Sequence, residues 1–411
     1  MSSGDRKTRV AVNGYGTIGK RVADAVRLQP DMELVGITAH SVNYRVATAH
    51  RLKGIPVFVS SFRRKDSETE QLHRDETQKL IDECEQLMDL PYADRRMATE
   101  NILGRIKRLN DHLRFENFED DAAKLQKNGV EVAGGLDDLL ERADVVVDCA
   151  PKPFGQANKP VYSSFGVKGV YQGGEKASIG PSFVAQQNFD ACAGADHVRV
   201  VSCNTTGLVR VLGGVHARRR IKMATVTLIR RGTDSSDHKS GPINAILPSL
   251  ETPSHHGPDV RCVIPDIEVF SSAYVVPTTL MHVHDLQIEM EDDFEVDEIL
   301  QLLHETPRVR VIPASLKMAS TAQLMDFARD LGQNDRGDMM DICVWEQTVG
   351  AYRNYGHKRL FIKMAVHQES DVIPENVDAI RAVMRSASAA DSMRMTDATL
   401  NLGVAGDFYR I

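Results

Sequence analysis

The 411-residue sequence predicts an α/β fold in two parts: a doubly wound, parallel-sheet domain, then an α+β domain with a mostly antiparallel sheet. Three observations predict it. A short apolar strand, Val10-Ala11-Val12, runs at once into Gly14-Tyr15-Gly16-Thr17-Ile18-Gly19 and then into a helical stretch. Apolar runs such as Val145-Val146-Val147 alternate with helical segments up to about residue 202, as strands buried on both faces do. Beyond residue 220 the period changes, and strand-like runs follow one another with few helices between them.

Composition bounds the function. Hydrophobic content of 42% and charged content of 26% describe a globular protein of two or three domains. A net charge of −7 gives no reason to expect a nucleic-acid partner. Cysteines 84, 149, 192, 203, 262 and 343 form no CxxC pair, which points to reduced thiols in a cytosol rather than a disulfide framework. Met1 to Lys7 is short and polar, so no signal peptide is read, and no stretch approaches a membrane span. A cytoplasmic protein is expected.

Taken in order, Gly14 permits a tight turn after the first strand, Gly16 lets backbone approach a pyrophosphate, and Gly19 lets the helix from Lys20 to Leu28 pack on the strand. The phosphates of a dinucleotide would sit on that helix N-terminus, which makes the first domain Rossmann-type. The second strand, Glu33 to Thr38, ends in Thr38-Ala39-His40-Ser41 without the acid that usually holds a ribose 2′-hydroxyl. NADP is therefore expected to be accepted beside NAD, unless the loop holds ribose by hydroxyls alone. Ile55 to Val59 is a third strand. Residues 60–116 then turn charged and helical in period, with apolar stripes Leu80, Cys84, Leu87 and Ile102, Ile106, Leu109, Leu113 separated by Leu90-Pro91. They read as an inserted antiparallel hairpin, either a tolerated surface insertion dispensable for chemistry or a docking element. Helices at 118–126 and 136–142 and strands near 130–132, 143–151 and 169–175 complete the domain. Its ligand edge would bring Gly14, Pro151, Gly173 and Cys203 together. The expected division is a dinucleotide domain over 1–202, a catalytic domain over 203–368, and C-terminal helices over 369–411 that return to the first domain. Strands are expected at 221–230, 269–276, 280–290, 309–312, 339–345 and 360–366, with helices at 296–304 and 321–331.

Val200-Val201-Ser202-Cys203-Asn204-Thr205-Thr206-Gly207 is a strand turning into an apolar helical run. Cys203 then sits at a helix N-terminus, where unpaired N–H groups and the dipole favour a thiolate, so it is the candidate nucleophile. His282 and His284 alternate onto one face of a strand and offer a base, or are plain hydrogen-bonded histidines. The fork of Arg230-Arg231 suits a phosphate, as does the loop Pro253-Ser254-His255-His256-Gly257-Pro258-Asp259. No local spacing resembles a zinc motif, and no metal is expected.

The strings NGYGTIGKRVADAV, VSCNTTGL, RRGTDSSDHKSGPINAI, PSHHGPDV, VPTTLMHVH, ICVWEQ and AVHQESDVIPENVDAIRA closely resemble archaeal-type (type II) phosphorylating glyceraldehyde-3-phosphate dehydrogenases. The resemblance implies Cys203 as nucleophile and His282 as its base. It implies Ser202, Asn204, His256 and Gly257 near a sugar phosphate, and Thr17, Ile18, Gly173, Arg231 and Gln368 against the dinucleotide. It also implies a homotetramer, NAD or NADP as cofactor, and glyceraldehyde 3-phosphate and inorganic phosphate as substrates. Two features depart from it: the hairpin, and His40 where a lysine is expected. A semialdehyde or acyl-phosphate reductase with the same thioester chemistry is the alternative enzyme, and a dinucleotide-binding scaffold the alternative class.

Overall fold

The computed structural model describes residues 6–64, 68–89, 99–115, 117–172, 174–235, 241–332, 336–354 and 357–403. They form two compact units. One comprises Met1–Pro181, Cys192–Val200 and Ala379–Ala387, and the other comprises Ser182–Ala191, Val201–Asp378 and Ser388–Ile411.

The first unit carries strands β1 (Thr8–Asn13), β2 (Met32–Ala39), β3 (Val57–Val59), β4 (Val145–Asp148), β5 (Lys168–Tyr171) and β6 (His197–Val200). They run parallel in the order β3-β2-β1-β4-β5-β6. The order switches direction between β1 and β4, so the turn after β1 opens at the crevice where doubly wound sheets take ligands. Val10, Ala11, Val12, Val145, Val146 and Val147 are fully buried, as an all-parallel sheet covered on both faces requires. Helix α1 (Gly19–Leu28) follows the glycine turn. Helix α2 (Tyr44–Arg51), absent from the expected elements, is capped by Asn43, whose side chain accepts from the N–H groups of Arg45 and Val46. The strand expected at 130–132 is only an isolated bridge from Val132 to Val57.

The hairpin consists of α3 (Glu68–Asp89) and α4 (Thr99–Phe115). Its separating Leu90-Pro91 lies outside the described residues. Leu80, Ile81 and Leu109 cluster with Ala157 of a later helix. Helices α5 (Phe118–Lys127) and α6 (Leu136–Leu140) come next, then α7 (Phe154–Ser164), which carries Ala157. The hairpin is therefore not a loose surface appendage. His73 on α3 is buried and its Nε2 bonds Asn158 Oδ1 on α7 at 3.1 Å. Asn158 Nδ2 and Tyr162 Oη both donate to Asp148 Oδ2, at 2.8 and 2.6 Å. Tyr162 Oη in turn accepts from Asn13 Nδ2 at 2.7 Å, while Asn13 Oδ1 accepts from Thr38 Oγ1 at 2.6 Å. Thr38 Oγ1 accepts from Gly14 N–H at 2.9 Å. An unbroken polar chain thus links the hairpin to the glycine turn.

The second unit carries α8 (Cys203–His216). Its sheet holds β7 (Ile221–Arg231), β8 (Leu247–Pro248), β9 (Glu268–Val276), β10 (His282–Met290), β11 (Val309–Ile312), β12 (Ile342–Trp345), β13 (Gly350–Asn354) and β14 (His357–Val366). The order is β11-β12-β14-β10-β7-β9-β8, with β13 on β14. Most pairs are antiparallel, but β9 runs parallel to β7 and β11 parallel to β12, so the sheet is mixed. Both parallel pairs are joined by long connections, the crossovers that parallel pairing needs. These connections carry α9 (His256–Arg261) and α11 (Thr321–Asp330), while α10 (Val296–Glu305) precedes β11. Helices α12 (Ile373–Met384) and α13 (Ala389–Leu400) end the chain.

Within this unit α8 is buried on nearly every side, with Leu208, Val209, Val211 and Leu212 fully buried among residues of β7, β10 and β14. Arg210 on the same helix is also fully buried, and its Nε and Nη2 donate to Glu375 Oε1 at 3.1 and 2.6 Å. Arg308 Nη1 donates to the same oxygen at 3.1 Å, and Arg308 Nη2 to Asp378 at 2.6 Å. Ala185 N–H satisfies Glu375 Oε2 at 2.7 Å.

Burial holds His73 neutral, with its pKa lowered to about 4. His73→Leu is expected to leave the buried Asn158 Oδ1 without its partner, destabilising the protein by about 1–3 kcal/mol. Chemical denaturation of the variant measures this, and a midpoint equal to wild type would show that the hairpin is not anchored there.

Candidate active site

At the turn after β1, Gly14 has φ +94°, a left-handed conformation that suits glycine. A Cβ on Gly19 would lie 2.0 Å from Gly14 O, whereas one on Gly16 would meet nothing within 4 Å. The turn is thus tight where the helix meets the strand and open where a phosphate would lie. Ile18 caps α1 without a side-chain hydrogen bond, and the first turn holds no acid. That N-terminus offers backbone dipole to an anion with no carboxylate competing. These features fit a dinucleotide. Thr17, beside Ile18, uses its carbonyl to accept from Arg21 Nη1 at 2.9 Å. Gly173 lies outside the described residues.

At the end of β2 the Thr38 hydroxyl is spent on Gly14 N–H and Asn13, so it does not face a ribose. His40 and Ser41, which follow, are exposed.

In the second unit Ser202 is the N-cap of α8, accepting from Thr205 N–H at 3.3 Å. Cys203 stands at the first helical position and is half-buried. Here the sequence expectation needs correcting. Loss of hydration pushes the Cys203 thiol up to about 12, and the nearby Asp371 carboxyl adds to the rise. Arg231, the Asn204 N–H and Arg230 pull the other way without overcoming burial. The resting group is a thiol, because the helix-end field is weaker than the cost of burying a thiolate.

His282 and His284 share the inward face of β10, their rings 6.5 Å apart and 14° from parallel. Both are buried, and burial with cationic neighbours holds His282 well below the usual histidine range. His282 Nδ1 accepts from the Arg231 backbone N–H at 2.9 Å. The neutral ring therefore carries its proton on Nε2. Such a ring donates from Nε2, while its Nδ1 lone pair is engaged by the Arg231 N–H.

The loop expected at 253–259 is partly helical, since α9 starts at His256. His255 is exposed and stacks on the buried His256, with ring centroids 4.0 Å apart. Gly257 is buried, and its N–H donates to Ser271 Oγ at 2.9 Å. A Cβ there would lie 2.3 Å from Val269 O, which is why the position is glycine. Arg230 Nη1 reaches His256 Nε2 at 3.5 Å. The two arginines of the fork differ: Arg231 is ion-paired with Asp234, whereas Arg230 has no carboxylate partner among the described residues. Gln368 is buried, and its Oε1 has no hydrogen-bond partner among the described residues.

Sequence reasoning missed Ser271 and Asp371. Ser271 sits at a buried position of β9 that alternates with exposed ones, a signal that was available. Asp371 is buried in a turn after β14, and no local pattern points to it.

A doubly wound unit with an open glycine turn, in one chain with a cysteine-bearing helix among buried histidines, defines a dinucleotide-dependent oxidoreductase. Residues 202–367 match the model of the glyceraldehyde 3-phosphate dehydrogenase C-terminal domain. The chain belongs to the glyceraldehyde-3-phosphate dehydrogenase family, of the archaeal type. It is 40% identical over 399 residues to the glyceraldehyde-3-phosphate dehydrogenase of Methanococcoides burtonii, covering 96% of this chain and 99% of that one. The corresponding proteins of Thermococcus onnurineus and Pyrococcus furiosus are 42% and 41% identical over 397 residues, with the same coverage. In fold the chain resembles aspartate semialdehyde dehydrogenase II from Vibrio cholerae, with a TM-score of 0.55 over 93% of this chain and 100% of that one, at 11% identity. No described helix is long and apolar enough to cross a membrane.

Since Cys203 rests as a half-buried thiol and Cys262 is exposed, iodoacetamide at neutral pH is expected to label Cys262 first. Activity should instead follow the slower labelling of Cys203, read by peptide mass spectrometry against residual turnover. Full activity with Cys203 alkylated would remove it from the chemistry.

Proposed function

We propose that this enzyme oxidises D-glyceraldehyde 3-phosphate with NAD(P)⁺ and inorganic phosphate to 1,3-bisphosphoglycerate. The observation that carries this reading is Arg230, a partly buried cation without a carboxylate partner among the described residues, whose charge acts on the Cys203 thiol. A phosphorylated aldehyde supplies the anion for that cation while placing its carbonyl toward the sulfur.

Cys203 Sγ adds to the aldehyde carbon as its proton passes to the carbonyl oxygen, giving a hemithioacetal. The bound dinucleotide supplies a hydride acceptor. In this reading the Arg231 N–H contact opens, His282 Nδ1 takes the hemithioacetal hydroxyl proton as the C–H pair leaves as hydride, and a thioester to Cys203 remains. A phosphate oxygen then attacks that carbon, the C–S bond breaks, and the acyl phosphate departs with the sulfur restored. The backbone N–H groups opening α8 face the carbonyl oxygen as charge develops on it, with Ser202 and Asn204 beside them. His255, His256 and Gly257 line the sugar-phosphate side in this reading, and Thr17, Ile18, Gly173, Arg231 and Gln368 the dinucleotide side. The assembly proposed is a cytoplasmic homotetramer.

Purified enzyme should produce reduced dinucleotide from glyceraldehyde 3-phosphate only when phosphate is present, and Cys203→Ser should abolish turnover while dinucleotide binding stays nearly intact. His282→Asn should slow the chemical step about 10²–10⁴-fold. Phosphate-independent oxidation would overturn the phosphorylating reading. If His284→Asn gave the loss and His282→Asn did not, the base is misassigned.

Both nucleotides are expected to serve, because no acid follows β2 and the exposed His40 and Ser41 are free to donate to a 2′-phosphate. His40→Asp should raise the Michaelis constant for NADP far more than that for NAD. A wild-type enzyme that used NAD and rejected NADP outright would contradict this.

A further inference from the structure

His284 is the buried histidine for which the mechanism above has no use. Its ring is fully buried, and its Nε2 lies 2.9 Å from Asn204 Oδ1. An amide oxygen only accepts, so His284 must carry its proton on Nε2. That contact fixes which way the Asn204 amide faces and turns Nδ2 toward His256 Nε2, at 3.4 Å. Asn204 Nδ2 and Arg230 Nη1 are both donors and both point at His256 Nε2, so that nitrogen holds a lone pair. The His256 proton is then on Nδ1, 3.2 Å from Ser254 Oγ. The rest of the chain closes consistently. Ser254 Oγ donates to Ser271 Oγ at 2.7 Å, and Ser271 Oγ donates to the Ser254 carbonyl at 2.9 Å while accepting from Gly257 N–H. Every hydrogen along the route has one consistent assignment.

We infer that His284 is a positioning residue: through Asn204 it locks His256 as a neutral, Nδ1-protonated ring whose Nε2 holds the Arg230 guanidinium for the substrate phosphate. In this arrangement His256 has no proton left to give a phosphate. Arg230 is the anion-binding group, and His256 aims it. Arg230, His255, His282 and His284 are the ionisable groups around the ring, and no carboxylate among the described residues pairs with it. Burial together with His255, Arg230 and His284 keeps His256 unprotonated, with its pKa lowered to about 2.

The inference rests on the phosphorylated-aldehyde reading of the site, and the test separates the two. Neutron diffraction from wild-type crystals at neutral pH should place hydrogen on Nδ1 of His256 and Nε2 of His284, whatever the substrate proves to be. Hydrogen on Nε2 of His256, or on both of its nitrogens, would overturn the inference even if no variant folds. With the folded enzyme, His284→Leu should raise the Michaelis constant for glyceraldehyde 3-phosphate about tenfold, the scale of one lost hydrogen bond to a charged group. The constant for unphosphorylated glyceraldehyde should not move, and His284→Gln, which keeps an N–H donor, should restore most of the loss. An equal rise for both aldehydes, or no rise, would show that His284 does not aim the phosphate-binding arginine. Absence of any activity on glyceraldehyde 3-phosphate in wild type would instead refute the functional reading and leave the tautomer result standing.

Discussion

One buried carboxylate holds the helix that presents Cys203. Glu375 takes Arg210 from α8 and Arg308 from the segment before β11 on a single oxygen, and a backbone N–H on the other. Arg210 lies about two turns along the helix from Cys203, so the ion pair fixes both the rotation and the depth of α8. A buried pair of this kind is poor evidence of net stability, since desolvating the charges costs about what their attraction returns. Its value here is registry: α8 is apolar nearly all round and would otherwise pack in several rotations about its axis. With Arg210 pinned, Cys203 and Asn204 are fixed with respect to β7 and β10.

In the first unit the same job falls to a buried, hydrogen-bonded carboxyl group. Asp148 is fully buried and accepts from Asn158, Tyr162 and Ala150 N–H. Burial raises its pKa despite those donors. Around it the glycine turn, the end of β2 and the hairpin meet in one polar cluster. A long insertion can settle into a doubly wound domain when it supplies a partner that the host core can use. His73 is such a partner, and Leu80, Ile81 and Leu109 complete an apolar patch on α7.

Much of this was legible in the sequence, and the reason is periodicity. The glycine spacing after Val10-Ala11-Val12, most of the hairpin stripes and the shared face of His282 and His284 are patterns of a few residues that stand where their period places them, although Leu87 of the first stripe is exposed and Ile81 is buried instead. The misses share another cause. Cys203 was expected to rest as a thiolate from its helix end alone, but the dry surroundings supplied by distant residues decide its proton. Helix α9 hid inside a segment rich in Gly and Pro, where composition argues for a loop. Long-range hydrogen bonding and desolvation leave no local period to read.

The burial of α8 also sets how the site responds to its medium. A surface helix loses most of its end-field to mobile ions, which screen exposed charges over a Debye length of about 8–10 Å at ordinary ionic strength. Here the field at Cys203 crosses protein rather than salt water, because the helix behind it is sheathed in Leu208, Val211, Leu212 and their neighbours. Ions added to the solution change how fast a charged substrate arrives, while the interior potential that the sulfur experiences stays nearly constant. Arrival and chemistry in this enzyme therefore answer to different variables: the first to the composition of the cell water, the second to the packing of one helix.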